Sequence, residues 1–355
     1  MPSASLAPTV QSRACQLWDP VPGYLDAASI GLPPRPVVEA MHEALDTWQA
    51  GRATAVAYDA AVGAARARYA ELVGVPTGWV AVGSQTSVFA GNLAASLPGG
   101  AEVVTIEDDF SSVIFPFLAQ AHRGITVRQV PRTGLAEAVT ERTHLVAFSL
   151  AQSACGRLVD VPAVTQAAAR HGALTFCDTT QATGWMPVDA TLFDLTVCSA
   201  YKWLCQPRGT AYLTVRPEVA ADLVPLNAGW YAGESVWEST YGPRMELAHD
   251  ARRFDVSPAW LCWVGAAAAA EVFAGLPPEQ VREHDAGLAD DLRGRLGLEP
   301  CGRPVVSLPD EEGSRAAALA RAGLVVSSRA GGVRIAFHLW NTPEDVALVH
   351  AALIR

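Results

Sequence analysis

Asp194-Leu-Thr-Val-Cys-Ser-Ala-Tyr-Lys-Trp-Leu-Cys-Gln-Pro-Arg-Gly209 is the stretch on which the reading of this chain turns. At its centre stands Lys202, the only lysine in 355 residues; every other basic side chain is arginine or histidine. Both lysine and arginine supply positive charge, but only lysine loses its proton at modest cost and attacks a carbonyl as an amine. An arginine-biased sequence can also keep one lysine by chance, so the surroundings decide. Leu195-Thr-Val-Cys198 is a short apolar run with the character of a buried strand. Pro207, Arg208 and Gly209 behind the lysine are turn signals. Lys202 therefore belongs to a loop at the carboxyl end of a strand, where open α/β sheets place their chemistry.

A second apolar run, Ala173-Leu-Thr-Phe-Cys177, ends in Asp178. An aspartate and a lysine at successive strand ends can face one another across a bound group. Pyridoxal 5'-phosphate (PLP) needs this pair. The lysine forms an imine with its aldehyde, and the carboxylate keeps the pyridine nitrogen protonated so that the ring accepts electrons. Lys202 and Asp178 are accordingly the candidate catalytic residues.

The length suits one large and one small domain. Half the residues are hydrophobic, enough for a sizeable core, and only 17% are charged. The formal net charge of −10 argues against nucleic acid or anionic membranes as partners. No apolar run is long enough to span a bilayer. The start, Met1-Pro-Ser-Ala-Ser-Leu6, lacks the basic and apolar regions of a signal peptide, so a cytoplasmic protein is expected. The seven cysteines are scattered and form no CxxC, which fits reduced, buried thiols. The eight histidines show no HExxH spacing, and no metal is expected.

Residues 1–20 read as irregular, and Tyr24 to Pro34 as a short strand-like start followed by a turn. The small side chains of that stretch, among them Ala28 and Ser29, allow close backbone approach to a ligand, although an ordinary loop has the same composition. Apolar residues recur at helical spacing over Pro36–Gln49 and Tyr58–Val73. A strand then runs into Gly83, and Ser84, Gln85 and Thr86 open a helix. Small polar residues there cap free N–H groups, and those N–H groups with the helix dipole also bind phosphate. No GxGxxG is present, which weakens a dinucleotide-binding dehydrogenase. Strands at 102–106, 125–130, 144–150, 173–177 and 195–198 alternate with helices and loops. That pattern predicts a mostly parallel, helix-covered sheet, with Thr210–Val215 pairing back onto it. Phe110 falls in the loop Asp108–Ser112 at the same sheet end as Asp178 and Lys202, available to stack on a cofactor ring or to pack in the core. Aromatic loops fill 225–258, and a buried helix spans Trp260–Phe273. The remainder reads as a small α+β unit: helix 277–296, strand 304–308, helix 312–322, strands 324–328 and 332–337, helix 342–353. Arg329, between two strands, is placed to clamp a substrate carboxylate, with Arg334 as the rival and a surface arginine as the plain alternative.

Asp178-Thr-Thr-Gln181 followed by Ser199-Ala-Tyr-Lys202 resembles the class V aminotransferase group of fold-type I PLP enzymes. That group includes cysteine desulfurases, isopenicillin N epimerase-like proteins, kynureninases and ergothioneine C–S lyases. The likeness extends from Tyr24-Leu-Asp-Ala-Ala28 to Trp340-Asn-Thr-Pro-Glu-Asp345. It implies an α/β fold: a large domain (16–250) with a mostly parallel seven-stranded sheet, and a small domain from residues 1–15 and 251–355. It implies that Lys202 holds PLP as a Schiff base and shuttles the Cα proton, that Asp178 pairs with the pyridinium, and that Gln181 lies near the ring's 3-oxygen. Gln85, Thr86, Ser199 and Tyr201 would hold phosphate. Phe110 would stack on the ring, where desulfurases carry histidine, and Ser153 falls where desulfurases carry Asn. Trp230 and Ser257 would approach the phosphate from the neighbouring subunit of a homodimer. Arg329 matches the substrate-carboxylate arginine, with Ala28 and Ser29 beside the substrate.

Departures from the group narrow the expected activity. Desulfurases carry a nucleophilic cysteine on a small-domain loop; here only Cys301 is nearby, before a strand and without that loop. Kynureninases carry Asn after the serine matching Ser257, where this chain has Pro258. The Ser-x-x-Lys-Trp-x-x-x-Pro-Arg-Gly pattern and compact C-terminus most resemble the ergothioneine C–S lyase branch. The expectation is a PLP enzyme that deprotonates the Cα of an amino acid, with β-elimination from a cysteine conjugate as its outcome. Transamination, epimerisation and kynureninase-like hydrolysis share the first half of that chemistry. A silent PLP-fold binding protein is the non-enzyme alternative, and it would be expected to have lost Lys202 or Asp178.

Overall fold

The computed structural model describes residues 10–242 and 244–354. Helix α1 (Val10–Leu17) occupies part of the stretch read as irregular. Its short length hides the period, and it is held by tertiary contact: Trp18, just after it, packs on Phe273 and Trp340. Helices α2 (Arg35–Gln49) and α3 (Ala55–Leu72) follow, as their spacing predicts. On α3, Val62, Ala65, Arg66, Tyr69 and Ala70 form the buried stripe. The arginine on that stripe is paired: Arg66 makes a two-point contact with Asp255 (3.0 and 2.6 Å) and donates to Val80 O (2.6 Å). Asp255 also accepts from Val82 N (2.8 Å), so one buried ion pair ties α3 to the first sheet strand and to the segment leading to Ser257.

That sheet is built from β1 (Val80–Gly83), β2 (Glu102–Ile106), β3 (Thr126–Val130), β4 (Thr143–Ser149), β5 (Leu174–Asp178), β6 (Leu195–Ser199) and β7 (Ala211–Val215). Its order is β1-β7-β6-β5-β4-β2-β3, with β3, β2, β4, β5 and β6 parallel and β7 antiparallel to both its neighbours. It is the mostly parallel seven-stranded sheet of the sequence reading. Helices α4 (Thr86–Ser96), α5 (Ser111–Leu118), α6 (Val161–His171) and the short α7 (Pro217–Ala220) fill the connections. α5 starts inside the stretch read as a loop, with Phe110 at its N-cap.

Beyond the aromatic loops, α8 (Trp260–Ala274) packs against α2 and α3, and α9 (Pro278–Arg295) follows at a sharp bend. Strands β8 (Val305–Pro309), β9 (Ser327–Arg329) and β10 (Gly332–Ala336) form a second, antiparallel sheet in the order β8-β10-β9, with α10 (Ser314–Arg321) and α11 (Pro343–Leu353) against it. β9 is shorter and later than the 324–328 expected: Val325 instead pairs with the N-terminal segment, where Leu25 N donates to Val325 O (2.9 Å) and Ala336 N to Leu25 O (2.8 Å). Residues 24–26 therefore lie along the small sheet, joining both ends of the chain. Among the described residues no single helix is long and apolar enough to cross a membrane; α8 and α9 reach that size only together, bent by 91°.

The segment after that pairing crosses the Lys202 loop at very close range. Gly31 N donates to Tyr201 O (2.9 Å), and a Cβ on Gly31 would lie 1.9 Å from Lys202 O and 2.9 Å from Cys205 Sγ. Close backbone approach was expected in this stretch; its object at Gly31 is the lysine loop. Gly31→Ala should cost at least roughly 1–3 kcal/mol as a forced overpacking. Gly63→Ala, on α3 with open space around its Cβ, should gain about 0.5–1 kcal/mol. Thermal unfolding of the two variants checks this; equal melting points would contradict it.

Candidate active site

Parallel strands deliver their carboxyl ends to one edge, and the register aligns them. Ser149 stands opposite Asp178 across β4 and β5, and Ser199 and Gly83 both stand opposite Ala211. The loops after β1, β2, β5 and β6 therefore converge on one polar cavity of about 210 Å³. Ser84, Gln85, Thr86 and Ser199 line it. Gln85 is the N-cap of α4 but makes no side-chain capping bond; the Thr86 and Val88 amides find Ser199 Oγ and Gln85 O instead. Thr86 N and Oγ1 both reach Ser199 Oγ (3.1 and 2.9 Å), which fixes β6 against α4. Phe110, Ser112, Thr180, Tyr201, Lys202, Arg208 and Gly209 complete the wall.

Lys202 is only 5% exposed, and its Nζ lies 5.2 Å from the Phe110 ring centre and 5.6 Å from that of Tyr201. Burial lowers its pKa from 10.5 to about 8, against the pull of Asp178, which favours the ammonium; the positive charges of Arg334 and Arg329 push the same way as burial. Asp178 is itself buried, and burial raises its pKa, opposed by hydrogen bonds from Thr180 and by the Lys202 charge. Thr180 N donates to Asp178 Oδ1 (2.8 Å), and Thr180 Oγ1 accepts from Ser199 N (2.9 Å), so one threonine aligns the ends of β5 and β6. Phe110 is positioned by Asp109, whose carboxylate accepts from Phe110 N (2.7 Å) and from Ser149 N (2.8 Å).

Of the residues expected at the site, Gln85, Thr86, Phe110, Ser199, Tyr201 and Lys202 line this cavity. Gln181 and Ser153 form a neighbouring cluster. Gln181 Nε2 donates to Ala28 O (3.0 Å) and Ser153 Oγ (3.1 Å), and its Oε1 accepts from Trp203 Nε1 (2.8 Å), so its amide is engaged within the chain. Ser29 Oγ lies between two arginines, accepting from Arg334 (2.7 Å) and Arg329 (3.2 Å). Arg334 is buried and also donates to Ser153 O (2.6 Å) and Asp26 (3.3 Å), whereas Arg329 is exposed. Trp230 packs on Tyr231 and Trp237, and Ser257 is exposed; neither lines the cavity of its own chain. Ser84 also lines the cavity, within the helix-opening turn of the sequence reading. Ser112, Thr180, Arg208 and Gly209 line it without having been singled out as site residues; Thr180 lies in the Asp178-Thr-Thr-Gln181 motif, and Arg208 and Gly209 in the turn and family pattern after Lys202.

The buried polar groups fit PLP. A helix start and hydroxyls suit a phosphate, a buried amine of lowered pKa suits the aldehyde, and a buried acid at the next strand end suits a ring nitrogen. The profile of the family described as aminotransferase class-V matches residues 23–317. An uncharacterized aminotransferase, YcbU of Bacillus subtilis, is 27% identical over 307 residues, covering 79% of this chain and 80% of that protein. A probable cysteine desulfurase of Methanothermobacter thermautotrophicus is 25% identical, covering 93% of each. The solved structure of a cystine C–S lyase, C-DES, with its product cysteine persulfide, superposes with a TM-score of 0.84 at 19% identity, over 94% of this chain and 97% of that one, and so shares the fold.

Because Lys202 is the only lysine, protein stripped of cofactor and labelled with 13Cε-lysine should give one ε resonance. Its titration midpoint should lie near pH 8, because burial disfavours the ammonium, and not near 10.5. Asp178→Asn removes the charge that favours the ammonium, so the midpoint should move lower still.

Proposed function

The chain belongs to the class V aminotransferase family, and from that premise we propose that it is a homodimeric, cytoplasmic PLP enzyme that cleaves the C–S bond of a cysteine conjugate by β-elimination. The observation that sets elimination apart from desulfuration is a cavity with a buried amine and no thiol among its lining residues. Cys177, Cys198 and Cys205 are buried in the core, and no cysteine is among the residues lining the cavity. Cys301 donates its backbone N–H to Asp290 Oδ1 (2.7 Å) in the approach to β8. A persulfide-forming desulfurase needs a nucleophilic sulfur at the substrate; this cavity offers none among its described residues.

Lys202, Asp178, Phe110 and the Ser84–Thr86 turn would hold the cofactor, with Ser199 and Tyr201. Bound there, PLP supplies an electron sink that acidifies the substrate Cα–H. Arg329, exposed and tied only to Ser29 and Ser328, takes the substrate carboxylate. The neutral amine of Lys202 removes the Cα proton at its Nζ. The electron pair released expels the β-sulfur as a thiolate, which then takes a proton. The unsaturated amine left behind hydrolyses to pyruvate and ammonia. Tyr201 and Arg208 lie at the wall, with the Arg208 guanidinium 5.3 Å from the Tyr201 ring centre, and shield that end of the cavity. Trp230 and Ser257 reach the phosphate of the partner's site across the dimer, a reading supported by the exposed Trp237 packed on Trp230 and by the exposed Leu226, Tyr241 and Met245 of the same loop segment.

The purified protein should show a visible absorbance band that borohydride abolishes and that Lys202→Ala cannot form as its own imine. Incubated with cystine or a cysteine S-conjugate, it should release pyruvate and ammonia in equal amounts. A keto acid without ammonia would mean transamination, and an inverted amino acid without either product would mean epimerisation; each overturns the lyase reading. A protein that stays colourless with added PLP overturns the whole assignment. Arg329→Gln should raise KM roughly 10- to 100-fold, the worth of a charge-assisted bond to a carboxylate, with a smaller change in kcat.

A further inference from the structure

A second buried group of titratable side chains lies behind the lysine loop, outside the cavity. His338, in the connection from β10 to α11, and Asp285, on α9, are both fully buried. His338 Nδ1 lies 2.6 Å from Asp285 Oδ2, and His338 Nε2 lies 3.0 Å from the backbone oxygen of Trp203. A carbonyl oxygen only accepts, so Nε2 carries a hydrogen and donates it; one proton then lies between Nδ1 and the carboxylate. The imidazole is walled by Trp203, Phe273 and Trp340, with ring centres at 5.2, 6.1 and 4.9 Å. Asp285 Oδ1 faces His284 Nδ1 (2.9 Å), so both carboxylate oxygens are used.

The carbonyl that His338 holds belongs to the residue after Lys202. Around it, Gly31 N donates to Tyr201 O (2.9 Å), Cys205 N to Lys202 O (3.1 Å), and Trp203 Nε1 to Gln181 Oε1 (2.8 Å). Among these clamps, only the His338 contact comes from the C-terminal elements. We propose that Asp285 and His338 are positioning residues for Lys202: Asp285 sets the tautomer and orientation of His338, and His338 Nε2–H anchors the lysine loop to the C-terminal unit. The consequence for the reaction rests on Lys202 being the reactive amine, but the anchoring itself does not.

The test is amide hydrogen exchange of the full-length holoenzyme, read by mass spectrometry over residues 200–206, where Ala200, Cys205 and Gln206 amides are hydrogen-bonded. His338→Phe keeps the ring shape and loses both polar contacts; exchange there should rise roughly tenfold, as for one lost buried hydrogen bond. Phe273→Leu damages the same aromatic wall without touching those contacts, and should leave 200–206 protected at a comparable loss of melting temperature. Asp285→Asn is the conservative rescue: its amide can still donate to Nδ1 of a neutral ring and accept from His284, so exchange should stay near wild type. Asp285→Leu should behave like His338→Phe. Unchanged exchange in His338→Phe, or an equal rise in Phe273→Leu, overturns the anchor. Should His338→Phe fail to fold, the Asp285 pair decides, since equal exchange in Asn and Leu variants overturns the orienting role. No readout uses turnover, so failure here is distinct from failure of the lyase assignment.

Discussion

An amine must be taken out of water and still be able to lose its proton, and much of this fold answers that demand. Lys202 is the only ammonium side chain available, and it is almost wholly buried. Burial alone disfavours its charge. Asp178 opposes that, and the balance leaves the pKa lowered from 10.5 to about 8. A lysine so balanced can both give up and take back a proton, as the proposed role requires. The balance depends on distance, and a four-carbon side chain is placed only as well as its backbone. Three successive carbonyls, of Tyr201, Lys202 and Trp203, are each held by a hydrogen bond, the first from Gly31, the second from Cys205 within the loop and the third from His338.

The sheet supplies the frame for this. Adjacent strands lie about 4.7–4.9 Å apart, and β7 stands between β1 and β6. Gly83 and Ser199 are thereby set two strand spacings apart at one edge, and the turn after β1 brings Thr86 back to Ser199. Asp178 follows on the opposite side of β6. The start of α4 and the buried acid so flank the strand that leads into the lysine. The antiparallel β7 is what makes room: it carries no loop into the cavity beyond Arg208 and Gly209 at its entry.

What the sequence revealed follows from the range of each interaction. The parallel strands, α2, α3 and α6 are local patterns of apolar spacing, and they stand where that spacing put them. The Asp178-Thr-Thr-Gln181 and Ser199-Ala-Tyr-Lys202 motifs are short, and both lie at the sheet edge. Helix α1 was invisible because its support comes from Phe273 and Trp340, far along the chain. Thr180, Asp109 and the Asp285–His338 pair act through backbone groups of remote segments, which no spacing encodes. Gln181 shows the opposite limit. Its position in the motif was legible, but its amide is bound to Ala28, Ser153 and Trp203, partners that only the folded chain brings together.

The two arginines that the sequence left as rivals are separated by the same reasoning. Arg334 is buried on β10, and its charge is met by Asp26 and by the oxygens of Ser153 and Ser29. These contacts tie the guanidinium to the N-terminal segment and to Ser153, while its Nε is buried without a partner. Arg329 stands three residues earlier than β10, at the end of β9, and shares only Ser29 Oγ and its neighbour's carbonyl. Its remaining donors make no hydrogen bond among the described residues, which is what the carboxylate role proposed for it needs. Ser29 is the hinge between them, because one hydroxyl oxygen accepts from both arginines. The buried arginine thus fixes the serine, and the serine in turn holds one end of the exposed arginine's guanidinium.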